Sequence, residues 1–260
     1  MGFTPYDWNE NIQHRVDYVE TRLREGSPVV GLTFSSGVLI LSVRRTQRKV
    51  FEVFDHILYS AMGSQSDVEA IRIASIDFAH QEGFNRSPDD VSVQRMVAGL
   101  SPTLKKAFTD GFSAPFIFRG LFAELGREPG RDGFTTLGYD GDYAVHSTYA
   151  AVAGSSEAER KMNELLSGGG SDRLPLPDAL RLGIRAWAAG RAAVAGAGFT
   201  RDEGEEHAPE AAPEAVLSKA LEDGSVEVGT LERQGPLVRF RILPPGDAVE
   251  AVQDILHKIP

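Results

Sequence analysis

The first strong pattern along the chain predicts an amphipathic helix over residues 12–25. Apolar residues recur there at helical spacing, and charged residues occupy most other positions. The apolar positions are Ile12, Val16, Val19 and Leu23. Gly26 follows and predicts a helix end in the left-handed conformation. Pro5 and the polar residues around it predict an irregular segment over 1–11.

Nearly continuous apolar runs come next and predict strands covered on both faces. Strands are predicted at 29–34, 37–43, 49–54, 57–62, 115–125, 135–139, 143–153, 226–232 and 238–243. Helices are predicted at 67–82, from a Ser87 cap to about 110, and at 156–166, 176–195 and 247–257. Hairpins that alternate with helix pairs predict an α+β fold, in which helices cover the outer faces of packed sheets.

The remaining organisation predicts one domain over residues 1–260. No linker is rich enough in glycine, serine or proline to separate two domains. Residues 201–213 are acidic and rich in proline and alanine, which predicts a solvated loop.

Composition narrows the range of functions. The formal net charge is −10, which disfavours a nucleic-acid partner. The chain has no cysteine, which excludes disulfides, thiol nucleophiles and cysteine zinc sites. No apolar run approaches the roughly 18–20 residues that span a bilayer, and the N-terminus lacks the pattern of a signal peptide. We therefore predict a cytoplasmic protein without a membrane partner.

Candidate chemistry is sparse. The six histidines are scattered without metal-ligand spacing, so no metal site is predicted. No glycine-rich segment has the residues of a phosphate loop, and no cofactor is predicted. Asp140-Gly141-Asp142 favours a hairpin turn over a calcium loop. Ser155 follows Gly154 at a strand-to-helix junction, where a helix cap is favoured over a nucleophile.

Several short motifs are more specific, because they occur in the same order as in one known protein family. They are Val16-Asp17-Tyr18-Val19, Gly26-Ser27, Val29-Val30-Gly31-Leu32, Ser36-Gly37-Val38-Leu39, Arg48-Lys49-Val50-Phe51, Asp55-His56, Ala61-Met62-Gly63, Tyr139-Asp140-Gly141 and Ala153-Gly154-Ser155. With these motifs, the chain from Pro5 to about Leu166 resembles an α-type proteasome subunit, most closely of the actinobacterial branch. The resemblance implies the four-layer αββα sandwich of the Ntn hydrolases, with an extra N-terminal helix.

The resemblance also implies a loss of catalysis. Catalytic subunits of this superfamily begin at a threonine, whose hydroxyl attacks while its free α-amine acts as the base. Ser27 matches that position but follows the helix, so its nitrogen is an amide and cannot be a base. Val43 matches the position of the catalytic acid and holds no charge, and only Lys49 of the set is kept. We therefore predict no catalytic residue, in a non-catalytic subunit of a threonine-type endopeptidase complex.

Lys49 has another role in the family that the chain resembles. In α-type subunits the matching lysine lines a pocket that binds the C-terminal carboxylate of an activator. The resemblance thus implies an activator-binding pocket with Lys49 and Arg48, and a rim made basic by Arg44 and Arg45. A lysine at a strand edge with no partner is the alternative.

A gate at the start of the chain is implied as well. The residues that correspond to it are Tyr6, Asp7, Trp8 and Tyr18, with Trp8 as an anchor. The resemblance further implies a seven-membered ring of copies of this chain, with proteasome β subunits and ring-shaped ATPases or other activators as partners. Two alternatives stay open: an active Ntn hydrolase that exposes Ser27 after self-cleavage, and a ring protein without a protease partner.

Overall fold

The fold is built from two antiparallel sheets and helices on both sides of them. The computed structural model describes residues 5–128, 130–169, 174–196, 212–234 and 239–256. The helices are α1 (Pro5–Leu23), α2 (Gln65–Asn85), α3 (Val93–Thr109), α4 (Ser156–Ser167), α5 (Leu176–Gly196), α6 (Pro213–Glu222) and α7 (Pro245–Leu256). The strands are β1 (Val29–Phe34), β2 (Gly37–Arg44), β3 (Val50–Phe54), β4 (Ile57–Gly63), β5 (Phe118–Glu124), β6 (Gly133–Gly138), β7 (Tyr143–His146), β8 (Tyr149–Val152), β9 (Ser225–Glu232) and β10 (Phe240–Ile242).

Each sheet has five strands in the described part of the chain. The first has the order β10-β9-β2-β1-β8 and the second the order β3-β4-β5-β6-β7, with antiparallel pairing throughout. All six residues of β1 are buried, and so are seven of the eight in β2. The continuous apolar runs therefore predicted these strands correctly, because both faces of the sheet are covered.

Three clusters of buried side chains define four layers. One packs α4, α5, α6 and α7 against the outer face of the first sheet, and another packs α2 and α3 against the second. The third lies between the sheets and includes Ile40, Leu58 and Leu121. The predicted four-layer αββα sandwich with an additional N-terminal helix is confirmed.

The single strand predicted over 143–153 is wrong, because the chain changes sheets there. β7 pairs with β6 in the second sheet, whereas β8 pairs with β1 in the first. The change occurs at Ser147 and Thr148, and the Thr148 carbonyl accepts from the N–H of Thr33 at 2.9 Å. This segment therefore joins the two layers at one edge.

The start of α3 also differs from the prediction. Ser87 caps only the short 3-10 turn Pro88–Asp90, where its hydroxyl accepts from the N–H of Asp89. The extended residue Val91 is buried under the second sheet, and α3 begins after Ser92. Helix α6 was not predicted. Most of the predicted loop over 201–213 lies outside the described residues, and its last residue, Pro213, begins α6.

The irregular segment predicted for 1–11 is wrong from Pro5 onward, because α1 begins there. Proline is tolerated in the first turn of a helix, where its missing N–H has no partner to lose. Gly26 does not have the predicted left-handed conformation either. Its role is close packing, since a Cβ there would lie 2.7 Å from Cε of Met62.

Helix α1 is fastened to the end of α3 by one side chain. The Arg15 guanidinium donates to the carbonyls of Phe108 (2.8 Å), Ala107 (2.8 Å) and Ser113 (2.7 Å). The last carbonyls of a helix have no partner within the helix, and a cation there also suits the negative end of its dipole. Arg15 thus both caps α3 and holds α1 against the sandwich.

We expect Arg15→Met to lower the free energy of unfolding by about 2 kcal/mol, because it leaves three carbonyls without their charged donor. Chemical denaturation followed by circular dichroism measures this. Arg22→Met is the matched control, since Arg22 is exposed on the same helix. Equal effects of the two variants would contradict a fastening role for Arg15.

Candidate functional site

An open cavity of about 270 Å³ lies where α1 ends and β1 begins. Its walls come from the α1–β1 junction, the β2–β3 link, the end of β4, the start of α2 and the facing sides of α5 and α6. We call it the docking cavity. The residues that line it are Glu25, Gly26, Ser27, Val43, Arg45, Thr46, Gln47, Arg48, Lys49, Phe51, Ala61, Met62, Gly63, Gln65, Val68, Glu69, Trp187, Arg191 and Ala220.

Lys49 lies on one side of this cavity, and both its backbone N–H and its side-chain Nζ have hydrogen-bond partners. Its Nζ donates to the Ser27 carbonyl at 2.9 Å, and its backbone N–H donates to Oε2 of Glu227 at 2.8 Å. Burial lowers the pKa of Lys49 from its ordinary value to about 8, and the negative charge of Glu227 opposes this change. An ammonium has three donors and only one of these has a partner in the described residues, so the group is positioned to bind an anion.

Ser27 is fully occupied by structural contacts. Its Oγ donates to the Val43 carbonyl at 2.7 Å, lies 3.2 Å from Oγ of Ser42 and accepts from Nε1 of Trp187 at 3.1 Å. Lys49 contacts its carbonyl and not its hydroxyl. The cluster therefore positions the peptide after α1, and no base is placed on the Ser27 hydroxyl by the described residues.

A buried carboxylate organises the basic residues of the β2–β3 link. Glu227 on β9 is 5% exposed, and its oxygens lie 3.8 Å from Nε of Arg44 and 3.6 Å from Nε of Arg48. Arg48 also donates from Nε to the Val50 carbonyl at 2.9 Å. Arg48, placed in the pocket from the sequence, therefore lies on its wall but is turned toward Glu227.

Two further cations border the docking cavity. Arg191 donates to the Arg24 carbonyl at 2.8 Å, and its pKa is lowered by burial and by the nearby charge of Arg45, while Glu25 opposes this. Arg45 pairs with Asp223 at 3.2 Å, and both side chains are mostly exposed. Burial and like charges disfavour the cationic forms of side chains in this cavity. An incoming anion stabilises these cationic forms.

The cavity also has an apolar wall. Phe51, Ala61, Met62 and Val68 line it from the second sheet and from α2. An apolar wall beside a cation suits a ligand that carries an apolar group next to a carboxylate. The C-terminal residue of a protein has this chemistry.

The residues predicted for the gate lie on α1, away from the contacts of Lys49. Tyr6 and Asp7 belong to its first turns, and their side chains lie outside the described residues. Trp8 and Tyr18 each have about half of the side chain exposed, 47% and 52%. Trp8, expected to be an anchor, is therefore not buried against the described part of this chain.

Two residues of the site could not be found from the sequence. Glu227 lies 178 positions after Lys49, and Trp187 lies 160 positions after Ser27. β9 is apolar around Glu227, and an acidic residue within an apolar strand was the only sign in the sequence that Glu227 has a special role.

Ser155 is the predicted helix cap, since its Oγ accepts from the N–H of Ala158.

The described residues give few other sites for chemistry. They include no group of three or more histidine, aspartate or glutamate side chains that could hold a metal ion. None of the described helices combines the length and apolar character that crossing a membrane requires.

Comparison with known proteins gives consistent results. A protein of Thermobifida fusca named proteasome subunit alpha is 26% identical over 232 residues, which cover 88% of this chain and 82% of that protein. The proteins of the same name from Kineococcus radiotolerans and Actinosynnema mirum are 29% and 28% identical, over 81% and 94% of this chain and 86% and 84% of their own. No protein-family model matches. These similarities confirm the predicted resemblance to actinobacterial α-type proteasome subunits.

Proposed function

We propose that this chain is a non-catalytic α-ring subunit of a bacterial 20S proteasome core, in which it forms a gated entry pore and a docking surface for activators in protein degradation. The similarity to proteins named proteasome subunit alpha supports the place in the ring. The observation that carries the docking role is the Lys49 ammonium, held on the Ser27 carbonyl inside an open cavity.

The chemistry of that cavity supports the docking role. A C-terminal carboxylate brings a full negative charge and two acceptor oxygens to donors of Lys49 that have no partner in the described residues. It also restores the environment that favours a charged lysine, because it opposes the effect of burial on the pKa. The apolar wall of Phe51, Met62 and Val68 receives the terminal side chain. Ring-shaped ATPases and other activators with C-terminal tails are the proposed partners.

The surroundings of Ser27 support the non-catalytic role. Its nitrogen is part of the peptide bond to Gly26, and its Oγ is used by Val43 and Trp187. An N-terminal hydrolase needs a free amine as its base and an unencumbered hydroxyl as its nucleophile. Self-cleavage before Ser27 would also detach α1, whose Val19 and Leu23 are fully buried.

Assembly is the first test of the proposal. Co-expression with an actinobacterial proteasome β subunit, followed by electron microscopy, is expected to show seven-membered α rings on proteolytic β rings in the cytoplasmic fraction. A chain that stays monomeric would contradict the α-ring proposal, and rings that never join β subunits would favour the ring protein without a protease partner. Intact mass separates the enzyme alternative, because self-cleavage gives a chain that begins at Ser27.

We also propose that residues 1–260 form one domain and that the start of the chain, together with Tyr18 further along α1, forms the gate. Tyr6, Asp7, Trp8 and Tyr18 are the proposed gate residues. The exposure of Trp8 and Tyr18 supports this proposal, because both side chains are available to a neighbouring copy in a ring. Limited proteolysis of the assembled ring, with and without an activator, tests the gate through cleavage near residues 1–8.

Tail binding is expected to weaken at alkaline pH. The pKa of Lys49 in the unbound protein is about 8, so the ammonium is charged below that pH and is lost as the pH rises through it. A peptide carboxylate stays ionised over this range, and affinity should fall by about tenfold per pH unit above 8, until the higher pKa of the bound state is reached. Fluorescence anisotropy with a labelled tail peptide at pH 6–10 measures this, with the C-terminally amidated peptide as control. Constant affinity from pH 6 to 10 would contradict it.

A further inference from the structure

A second cavity of about 350 Å³ adjoins the docking cavity, and Arg48 lines both. We call it the arginine cavity. The residues that line it are Arg44, Arg48, Ser225, Val226, Glu227, Ile242, Leu243 and Pro245. It lies at the end of the β2–β9 ladder, where Arg44 pairs with Ser225, and β10 and the start of α7 form its far side. A chain segment that leaves the docking cavity over Arg48 therefore reaches this second cavity.

The charges in the arginine cavity are unequal. The two guanidinium groups share one carboxylate, that of Glu227, at 3.8 Å from Arg44 and 3.6 Å from Arg48. The same carboxylate also accepts the backbone N–H of Lys49. Nε of Arg44 is buried and has no hydrogen-bond partner in the described part of the chain. One negative charge thus faces two cations, and the described residues use only part of their hydrogen-bonding capacity.

The orientation of the two arginines leaves donors available. Arg44 and Arg48 approach Glu227 through Nε, and the described residues provide no partner for their terminal nitrogens. The Arg48 guanidinium lies 5.6 Å from the ring centre of Phe51 and 5.5 Å from that of Phe240, which limits its movement. The side chains of Arg44 and Arg48 are 38% and 46% exposed, so an outside ligand can reach them.

We propose that Arg44 and Arg48 form a second carboxylate subsite, which binds an acidic side chain of the tail whose terminal carboxylate lies on Lys49. This inference rests on the proposed docking function. Guanidinium groups match a carboxylate in two parallel hydrogen bonds, a geometry that lysine lacks. Val226, Ile242 and Leu243 supply an apolar surface for the stem of a glutamate.

Charge along the chain supports an acidic partner. Four of the six residues over 44–49 are cationic, in a chain with a formal net charge of −10. Because this basic segment lies between the two cavities, a tail with one acidic residue before its terminus meets complementary charge at both positions. An extended tail advances about 3.3 Å per residue, so moving the acid one residue at a time along the tail samples the space between the two cavities.

The test is a peptide series measured by fluorescence anisotropy on the assembled full-length protein. Each octapeptide ends in leucine with a free carboxylate and carries one glutamate at a position between the second and the seventh from the C-terminus. Each has a matched glutamine peptide. We expect one position at which glutamate binds about five- to tenfold more tightly than glutamine. A ratio below twofold at every position would overturn the proposal.

Variants locate the effect. Arg44→Gln and Arg48→Gln should each reduce the glutamate-to-glutamine ratio to near one, whereas Arg86→Gln, which removes an exposed arginine that lines neither cavity, should leave it unchanged. If the glutamine variants do not fold, Arg44→Lys and Arg48→Lys replace them, because lysine keeps the charge beside Glu227. These variants should still lower the glutamate-to-glutamine ratio. An unchanged ratio in folded variants of both arginines would overturn the assignment.

Lys49→Met distinguishes this inference from the function on which it rests. If Lys49→Met leaves binding of every peptide unchanged, the docking function itself fails. If Lys49→Met weakens all peptides while the wild-type protein shows no preference for glutamate, only the arginine subsite fails.

Discussion

Lys49→Met is expected to abolish the stimulation of proteolysis by a tail-bearing activator, with a loss of at least tenfold. The substitution keeps most of the side-chain volume but removes the ammonium, which the structure places on the Ser27 carbonyl at 2.9 Å. A hydrogen bond to a charged group contributes about 1.5–3 kcal/mol, which corresponds to roughly 10- to 150-fold in affinity for the tail. The readout is degradation of a folded substrate by the assembled core, with and without the activator.

The same experiment needs two controls. Cleavage of a small peptide by the assembled core should be unchanged in Lys49→Met, because the proposed β subunits cleave it and the substitution does not change them. Lys105→Met removes an exposed lysine from α3 and should leave activator stimulation unchanged. If Lys49→Met is stimulated as strongly as the unmodified protein, Lys49 is not the anchor of the tail.

The sequence predicted local structure well wherever burial imposes a simple pattern. The bounds of β1 match the prediction, and those of β2 and β4 differ from it by one residue at one end. Such runs are unambiguous because side chains on both faces of these strands are buried. The hairpin turn at Asp140-Gly141-Asp142 was predictable for a different reason, since Gly141 has a φ of +83° that disfavours other residues.

The incorrect predictions have physical causes that a local sequence pattern does not contain. The apolar positions of 143–153 continue through the point where the chain leaves one sheet for the other, because both segments are strands and only their partners differ. The Ser87 cap was predicted to begin α3, but the extended residue Val91 is buried and separates the 3-10 turn from the helix, and Ser92 caps α3 by accepting from the N–H of Arg95.

The candidate site was predictable in part. Lys49 and Arg48 could be selected through family motifs on one short segment, but their partner Glu227 lies on a strand near the other end of the chain. Pairing of β2 with β9 brings it there, with Ser42 opposite Glu227. The arginine cavity depends on that pairing and was therefore not visible in the sequence.

Helix α1 was predicted correctly as an element, but its contribution to the hydrophobic core was not predicted. The resemblance implied this helix only as an extra N-terminal helix beside the four-layer sandwich. In the structure, Val19 and Leu23 are fully buried and belong to the cluster between the two sheets, together with Met62 and Phe108. The helix is therefore part of the fold as well as a candidate surface for assembly.

Leu23→Ala is accordingly expected to lower the free energy of unfolding by about 3 kcal/mol, within the 2–5 kcal/mol range of leucine-to-alanine changes in cores. The loss combines the burial of the removed methyl groups with the cavity left behind, and the close packing around the Leu23 backbone limits relaxation. The Leu23 carbonyl accepts from the N–H of Gly26 at 2.9 Å, and a Cβ at Gly154 would lie 2.8 Å from it. Urea denaturation of the unassembled chain measures the change, with Thr21→Ala at an exposed position of α1 as control.

This substitution also tests whether the core and the docking cavity are coupled. Leu23 is the last residue of α1 and Ser27 follows four positions later, so loss of packing at Leu23 is expected to displace the carbonyl that holds the Lys49 ammonium. Tail affinity should therefore fall in Leu23→Ala but not in Thr21→Ala. A loss of less than 1 kcal/mol with unchanged tail affinity would mean that α1 is only loosely attached and that the position of Ser27 is set by Trp187 and Val43 alone.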